Sequence, residues 1–259
     1  MISTFLVSIL ATTALDFNPV VRRNDDSTAN NQTLISQLIT AATAVDRQAL
    51  MPDDAQYVYD FQHPPVEDVI TKGLGGMTVK ADRKAFPLLI GNGVSMTVDF
   101  LGPCGFNTPH VHPRSAEINI AVQGHFATEY TLENGARSIL NTLEQYQMTV
   151  FPQGALHAEW NPDCTNAVFV AGFASEDPGV QQAAQTLLGF SEEFVSPVFG
   201  SNNITFDGKD VDTFRAILPK NAALGIDTCL AKCGIQKSAK QPLVEVRERR
   251  SILGLLLRS

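Results

Sequence analysis

No stretch of this chain reaches the roughly 18 apolar residues that a helix needs to cross a bilayer. Positive charge is also short. Lysine and arginine number 19 against 27 aspartates and glutamates, and the formal charge of −8 argues against nucleic acid or an anionic membrane surface as the main partner. Tryptophan occurs once and tyrosine four times, which makes an aromatic-lined sugar or ligand pocket the weakest expectation. The glycine-rich run Thr71-Lys72-Gly73-Leu74-Gly75-Gly76 lacks the Lys-Ser/Thr ending of a phosphate-binding loop and reads as a turn before the main β-region. The histidine-bearing segment at 110–117 has no second copy in the chain. At 259 residues the chain can bury one large core and does not require two.

Cysteine is scarce but even in number, and four cysteines allow three full pairings. Cys104 precedes a histidine pair and Cys164 follows the segment of His157; if those segments are neighbours, Cys104–Cys164 is the natural bridge. Cys229 and Cys233 are four apart, which on a helix falls near the upper end of the bridging window. Residues 1–14 carry a short apolar run followed by small residues, the outline of a secretory leader without a basic residue in front. Asn31-Gln32-Thr33 and Asn203-Ile204-Thr205 are glycosylation sequons, and Arg22-Arg23 is either a processing site or a solvated charge pair. Leader, sequons and cysteines together predict a secreted, extracellular protein.

Residues 15–33 are polar and without periodicity. In the N-terminal extension, 34–76, Leu34, Ile35, Leu38, Ile39, Ala42 and Val45 recur at helical steps and predict one amphipathic helix; Tyr57 to Phe61 alternates and predicts an edge strand. From 77 to 178 short apolar runs alternate with turn signals, which predicts an all-β core. Its candidate strands are 96–101, 117–122, 126–131, 147–151 and 167–173, with Asn134-Gly135 as a tight turn. Helical spacing returns from Val180, with a second helix through Leu230, in a C-terminal helical region at 179–235. A basic and then apolar tail fills 236–259 and is too short to span a membrane.

The chemistry concentrates in His110-Val111-His112-Pro113-Arg114-Ser115-Ala116-Glu117 and, forty residues after Glu117, His157. Side chains alternate along a strand, so His110 and His112 share a face and can converge on one metal ion. Pro113 stops the strand, which places Glu117 across a turn on the returning strand, and Pro152-Gln153-Gly154 is a second turn ahead of His157. Three imidazoles and a carboxylate without sulfur suit manganese, iron or zinc. With five histidines in all, three at this spacing beside a glutamate are poorly explained as surface residues. The same alternation puts Glu159 on the face of His157 and Asn119 on that of Glu117, where either could orient a ligand or move a proton; for Glu159 a solvated strand-end carboxylate is an equal alternative. His63 and His125 have no ligand spacing and read as loop residues, and Trp160 faces away from His157.

The segment Gly105-Phe106-Asn107-Thr108-Pro109-His110-Val111-His112-Pro113-Arg114-Ser115-Ala116-Glu117, closing at Gly124, resembles the first motif of the cupin superfamily in its germin branch. Phe151-Pro152-Gln153-Gly154-Ala155-Leu156-His157, with Asn161, resembles the second. The resemblance implies a single cupin jelly-roll β-barrel with an all-β core, an N-terminal extension and C-terminal α-helices. It also implies manganese (Mn2+) held by His110, His112, Glu117 and His157. Asn107 matches an asparagine that germin oxalate oxidases place near the metal, although a turn role ahead of Thr108-Pro109 accounts for it equally. A second asparagine of those enzymes is replaced here by Thr97, and the acid-bearing lid of oxalate decarboxylases is not recognisable.

Two functions stay open on this basis. One is a secreted manganese-dependent germin-like oxidoreductase acting on superoxide or oxalate, with superoxide ranked first because Thr97 reaches less far than asparagine. The other is a non-catalytic wall, spore or storage protein of spherulin type with a structural metal. Outward-facing Ile118, Ile120 and Val122 need covering, and germin-like proteins cover such surfaces by self-association, so a homo-oligomer is expected.

Overall fold

The structure is a computed structural model that describes residues 27–199 and 221–236, together with Thr213, Ala216 and Leu218. The leader, Arg22-Arg23, the Asn203 sequon and the C-terminal tail lie outside the described residues. Short alternating segments pair into two antiparallel sheets. The first runs in the order β1 (Ile70–Gly73), β2 (Gly76–Ala81), β3 (Ser95–Leu101), β10 (Ala167–Phe173), β5 (Glu117–Gln123), β8 (Met148–Phe151). The second runs β11 (Gln181–Gln182), β4 (Gly105–Val111), β9 (Leu156–Trp160), β6 (Phe126–Thr131), β7 (Ile139–Leu143), with β12 (Ala223–Leu224) also on β4. From β3 to β6, and again from β7 to β11, successive strands alternate between the two sheets, the crossing pattern of a jelly roll. The five candidate strands of the core are all present, with ends moved by at most a residue.

Three expectations outside the core are corrected. The single N-terminal helix is two, α1 (Ser27–Thr40) and α2 (Ala44–Ala49), because Thr43 starts a new one: its hydroxyl accepts from Asp46 N–H while the Asp46 carboxylate accepts from Thr43 N–H. Tyr57 to Phe61 is not a strand. Asp53 caps a 3-10 turn over Asp54–Tyr57, and the rings of Tyr59 and Phe61, 4.9 Å apart, pack on the outer apolar cluster of Val69, Met77, Val79, Val98 and Phe100. The glycine run is a turn, as expected, but it lies within the first sheet rather than ahead of it, as the hairpin joining β1 and β2. A Cβ on Gly105 would overlap the Gly75 carbonyl oxygen, and one on Gly75 would overlap that of Ala223, so glycine lets the hairpin lie against β4 and β12.

The barrel interior divides in two. Leu101, Ala121, Phe126, Leu143 and Phe169 form its apolar end. Further along the same strands the inward positions turn polar: Ser95, Thr97 and Asp99 on β3, and Glu117 and Asn119 on β5, while Met96, Val98 and Phe100 face outward. The C-terminal region is also more broken than expected. After β11 come α3 (Ala183–Leu187), α4 (Glu192–Phe199) and, later, α5 (Asp227–Cys233).

The expected disulfides are replaced by a crossed pair. Cys104 bonds Cys229 and Cys164 bonds Cys233, with Cα separations of 5.6 and 5.3 Å. The turns bearing Cys104 and Cys164 are neighbours, since Cys104 N–H donates to Asp163 O at 3.3 Å. Helix α5 docks on them, however, and its two cysteines lie one turn apart on one face, so each reaches a different turn. Cys229 and Cys233 stay 4.0 Å apart, sulfur to sulfur. Mapping of non-reduced peptides should recover Cys104–Cys229 and Cys164–Cys233; a Cys104–Cys164 peptide as the main product would refute this pairing. Removing the second bridge with Cys164→Ser should cost about 2–4 kcal/mol in denaturant unfolding.

Candidate metal centre

Sequence alternation brings His110 and His112 onto one side of β4, and the β5 and β9 neighbours complete the group. Glu117 pairs with Phe151 and Phe173 across its strand, and His157 pairs with His110 across β4 and β9. All four side chains are buried, and their ligand atoms lie within 4.8 Å of one another. Asn107 sits three residues before His110, which simple alternation would put on the opposite face. A bulge between Asn107 and His110 absorbs one residue, so Asn107 opposes Glu159 while His110 opposes His157. Thr108-Pro109, the bulged dipeptide, is thus the device that aims Asn107 inward.

Each imidazole is held from behind. His110 Nδ1 lies 2.9 Å from Thr108 O, His157 Nδ1 lies 2.8 Å from Ala155 O, and His112 Nδ1 is bonded to Gly179 O. A carbonyl only accepts, so Nδ1 carries the proton in all three and Nε2 presents a lone pair. His112 Nε2 and His157 Nε2 both lie 3.1 Å from Glu117 Oε2. Lone pairs facing a carboxylate oxygen at that distance repel unless a proton or a cation lies between them. The donor set, its fixed tautomers and this facing of acceptors all fit a divalent transition metal.

The electrostatics point the same way. Burial works against the charge of Glu117, and with protons on the facing Nε2 atoms the hydrogen bonds and positive charge of His112 and His157 outweigh it and bring its carboxyl down to about 2; a cation between the same atoms would take over that role. Burial, reinforced by nearby His157, lowers His110 to about 3, so it is neutral and able to ligate.

Beside this group lies a second set of polar side chains. Glu159 is fully buried, which rules out a solvated strand end; its Oε1 lies 3.4 Å from Asn119 Nδ2 and 3.9 Å from His157 Nε2. Asn119 Nδ2 also donates to Glu117 Oε1 at 3.1 Å, and Asn107 donates to Glu159. Burial first, then Glu117 and Asp99, push Glu159 well above the usual carboxylate range. Asp99 was not singled out by its spacing. Burial and then Glu117 push it up as well, and it lines the same cavity as His110, His112 and Glu117. Its signal was in the sequence: Ser95, Thr97 and Asp99 alternate with Met96, Val98 and Phe100, and the polar set is the one facing the histidines. Asp99 Oδ1, Asn107 Oδ1, Asn119 Oδ1 and Glu159 Oε2 are buried without hydrogen-bond partners. His63 pairs with Asp60 at 2.8 Å, and His125 bridges Glu144 and Asp163 at 2.7 and 2.8 Å; both are away from the site, as loop residues should be.

The chain matches the Cupin family over residues 64–206. It is 41% identical over 208 residues to Spherulin-1A of Physarum polycephalum, covering 80% of this chain and 82% of that protein. Spherulin-1B of the same organism is 38% identical over 236 residues, covering 91% and 90%. Germin-like protein 3-5 of Oryza sativa subsp. japonica is 30% identical over 186 residues, 70% of this chain and 81% of that one. Among solved structures, an oxalate oxidase in complex with the substrate analogue glycolate aligns with a TM-score of 0.47 at 26% identity, over 49% of this chain and 67% of that chain. Two motifs in order, the strand pairing around them and a family match across more than half its length agree: the chain belongs to the cupin family.

Proposed function

We propose that His110, His112, Glu117 and His157 bind one divalent transition metal, manganese foremost, in an extracellular germin-like oxidoreductase acting on superoxide ahead of oxalate. The observation that carries the metal reading is the common tethering of three Nδ1 atoms to main-chain carbonyls, which leaves three Nε2 lone pairs beside Glu117 Oε2. Bound there, manganese would supply one-electron exchange between its divalent and trivalent states and open coordination positions. The chain's own part is to fix the ligands, exclude bulk water and place proton-bearing groups nearby. Asn107 and Glu159 are the second set: Asn107 holds the Glu159 carboxyl, and Asn119 links Glu159 to Glu117. Superoxide needs an accessible metal and a proton source, whereas oxalate needs paired donors. Thr97 is half-buried at the cavity wall, and its hydroxyl is the shorter replacement for a second amide.

The similarity to the spherulins over most of both chains supports a second reading, a non-catalytic extracellular protein in which the metal ties the barrel together. The outer face supports self-association in either case. Tyr59 and Phe61 cover the end near Val122, but Ile118 and Val150, paired across β5 and β8, remain exposed beside Met148 and Met96.

Metal analysis of secreted protein should give about one manganese per chain. His110→Ala and Glu117→Ala should each weaken binding by more than the roughly 10–100-fold that losing an outer partner costs; stoichiometric manganese in both variants would refute the ligand set. The loaded protein should dismutate superoxide faster than it oxidises oxalate. Rapid oxalate oxidation without dismutation would reverse that ranking, and inactivity in both, with a lowered melting temperature on chelation, would favour the structural reading. Sedimentation at micromolar concentration should show an oligomer, and a monomer there would end the self-association proposal.

A further inference from the structure

The histidine group forms one end of a cavity of about 440 Å³, within the roughly 300–1,000 Å³ usual for small-molecule sites. Oxalate or superoxide would leave most of that space to water. Its walls extend from the metal group along the inward faces of β2 and β3, past Thr97 and Asp99 to Thr78, and are closed on the other side by Gln182 and Asn221.

The free polar groups of this wall come in both kinds. Asp99 Oδ1 and Asn107 Oδ1 are buried acceptors without a partner, on side chains exposed by only 1% and 6%. An oxalate dianion has no hydrogen to give them. Asn221 Oδ1 accepts from Thr108 N–H at 3.0 Å and Gln182 Oε1 accepts from the Thr108 hydroxyl, so what these two amides keep for a ligand is N–H. The hydroxyls of Thr97 and Thr78 can act either way. A ligand matching the set must both donate and accept at several points, which is the property of alcohols. The wall asks for little charge: Lys80 lies 2.8 Å from Asp82, and Lys84 is paired with Asp68. Burial also holds Asp99 toward its neutral form. Apolar Val69, Ala171 and Phe173 line the remainder and suit the C–H faces of a carbon chain or ring.

We propose that this cavity binds a neutral polyol or small saccharide beside the metal centre, with ligand hydroxyls donating to Asp99 and Asn107 and accepting from Gln182 and Asn221. This goes beyond the oxidoreductase reading. Such binding needs neither turnover nor metal, so it can fail while the metal reading stands and stand while that reading fails.

Isothermal titration of the full chain with erythritol, xylitol and glucose, before and after chelation, tests it, with putrescine as a cationic donor for comparison. At least one neutral probe should bind saturably and more tightly than putrescine. Asp99→Ala and Thr97→Val should each weaken that binding about five- to tenfold, the worth of one ligand hydrogen bond. Retained metal content and a cooperative thermal transition identify variants that still fold, and Thr97→Val, close in volume to the original, provides the comparison if Asp99→Ala does not. No saturable neutral probe, putrescine as the tightest ligand, or wild-type affinity in either folded variant would overturn the assignment.

Discussion

Thr108, Ala155 and Gly179 each lend a main-chain carbonyl to a histidine Nδ1, and the character of the barrel's polar end follows from those bonds. With the proton committed on one side, each ring has a lone pair to present on the other, and turning the ring over would leave a buried acceptor facing a carbonyl. Two of the carbonyls lie two residues before their own histidine and are set by local strand geometry. The third comes from beyond β10, where the chain crosses to pair with β4 as β11. The segment after Phe173 is therefore part of the site, even though it carries none of the motif residues.

Placing Glu117, Glu159 and Asp99 in one interior is costly, because three buried carboxylates cannot all ionise cheaply. Asn119 reduces the cost by donating to Glu117 and Glu159 together, and the histidines bring Glu117 down while its neighbours go up. Such a network is settled only when every member is satisfied. The apolar end, with Phe126 and Phe169 at 4.7 Å between ring centroids, supplies the packing that lets the other end remain polar.

Much of this was legible in the chain because it depends on short-range rules. The period of two places His110 with His112 and Glu159 with His157, and Pro113 and Gly154 mark turns that return the strands. What the rules miss is also specific. The bulge at Thr108-Pro109 breaks the period, so the inward aim of Asn107 cannot be counted from His110. Thr43 carries the signal for a helix start, but the apolar steps from Leu34 to Val45 run straight across it. Asp99 was visible as part of a polar alternation, yet nothing local says which face of β3 is the inside. The docking of α5 is a long-range event that spacing among cysteines does not encode.

That docking has a consequence for the order in which the protein is made. During synthesis Cys104 and Cys164 emerge with the barrel, while Cys229 and Cys233 follow 125 and 69 residues behind their eventual partners. Until α5 arrives, the two early thiols sit on adjacent turns with only each other to bond. The pairing that looks natural from the sequence is then the kinetic competitor of the native one. Helix α5 must either reach the turns first or undo a premature bridge by thiol–disulfide exchange: the Cys229 thiolate attacks Cys104, Cys164 leaves as a thiolate, and a disulfide oxidant from outside the chain then takes two electrons to join Cys164 to Cys233. Helix α5 thus acts on the earlier barrel as an isomerase acts on a client, and a truncation ahead of Asp227 that leaves the barrel intact would remove that correction.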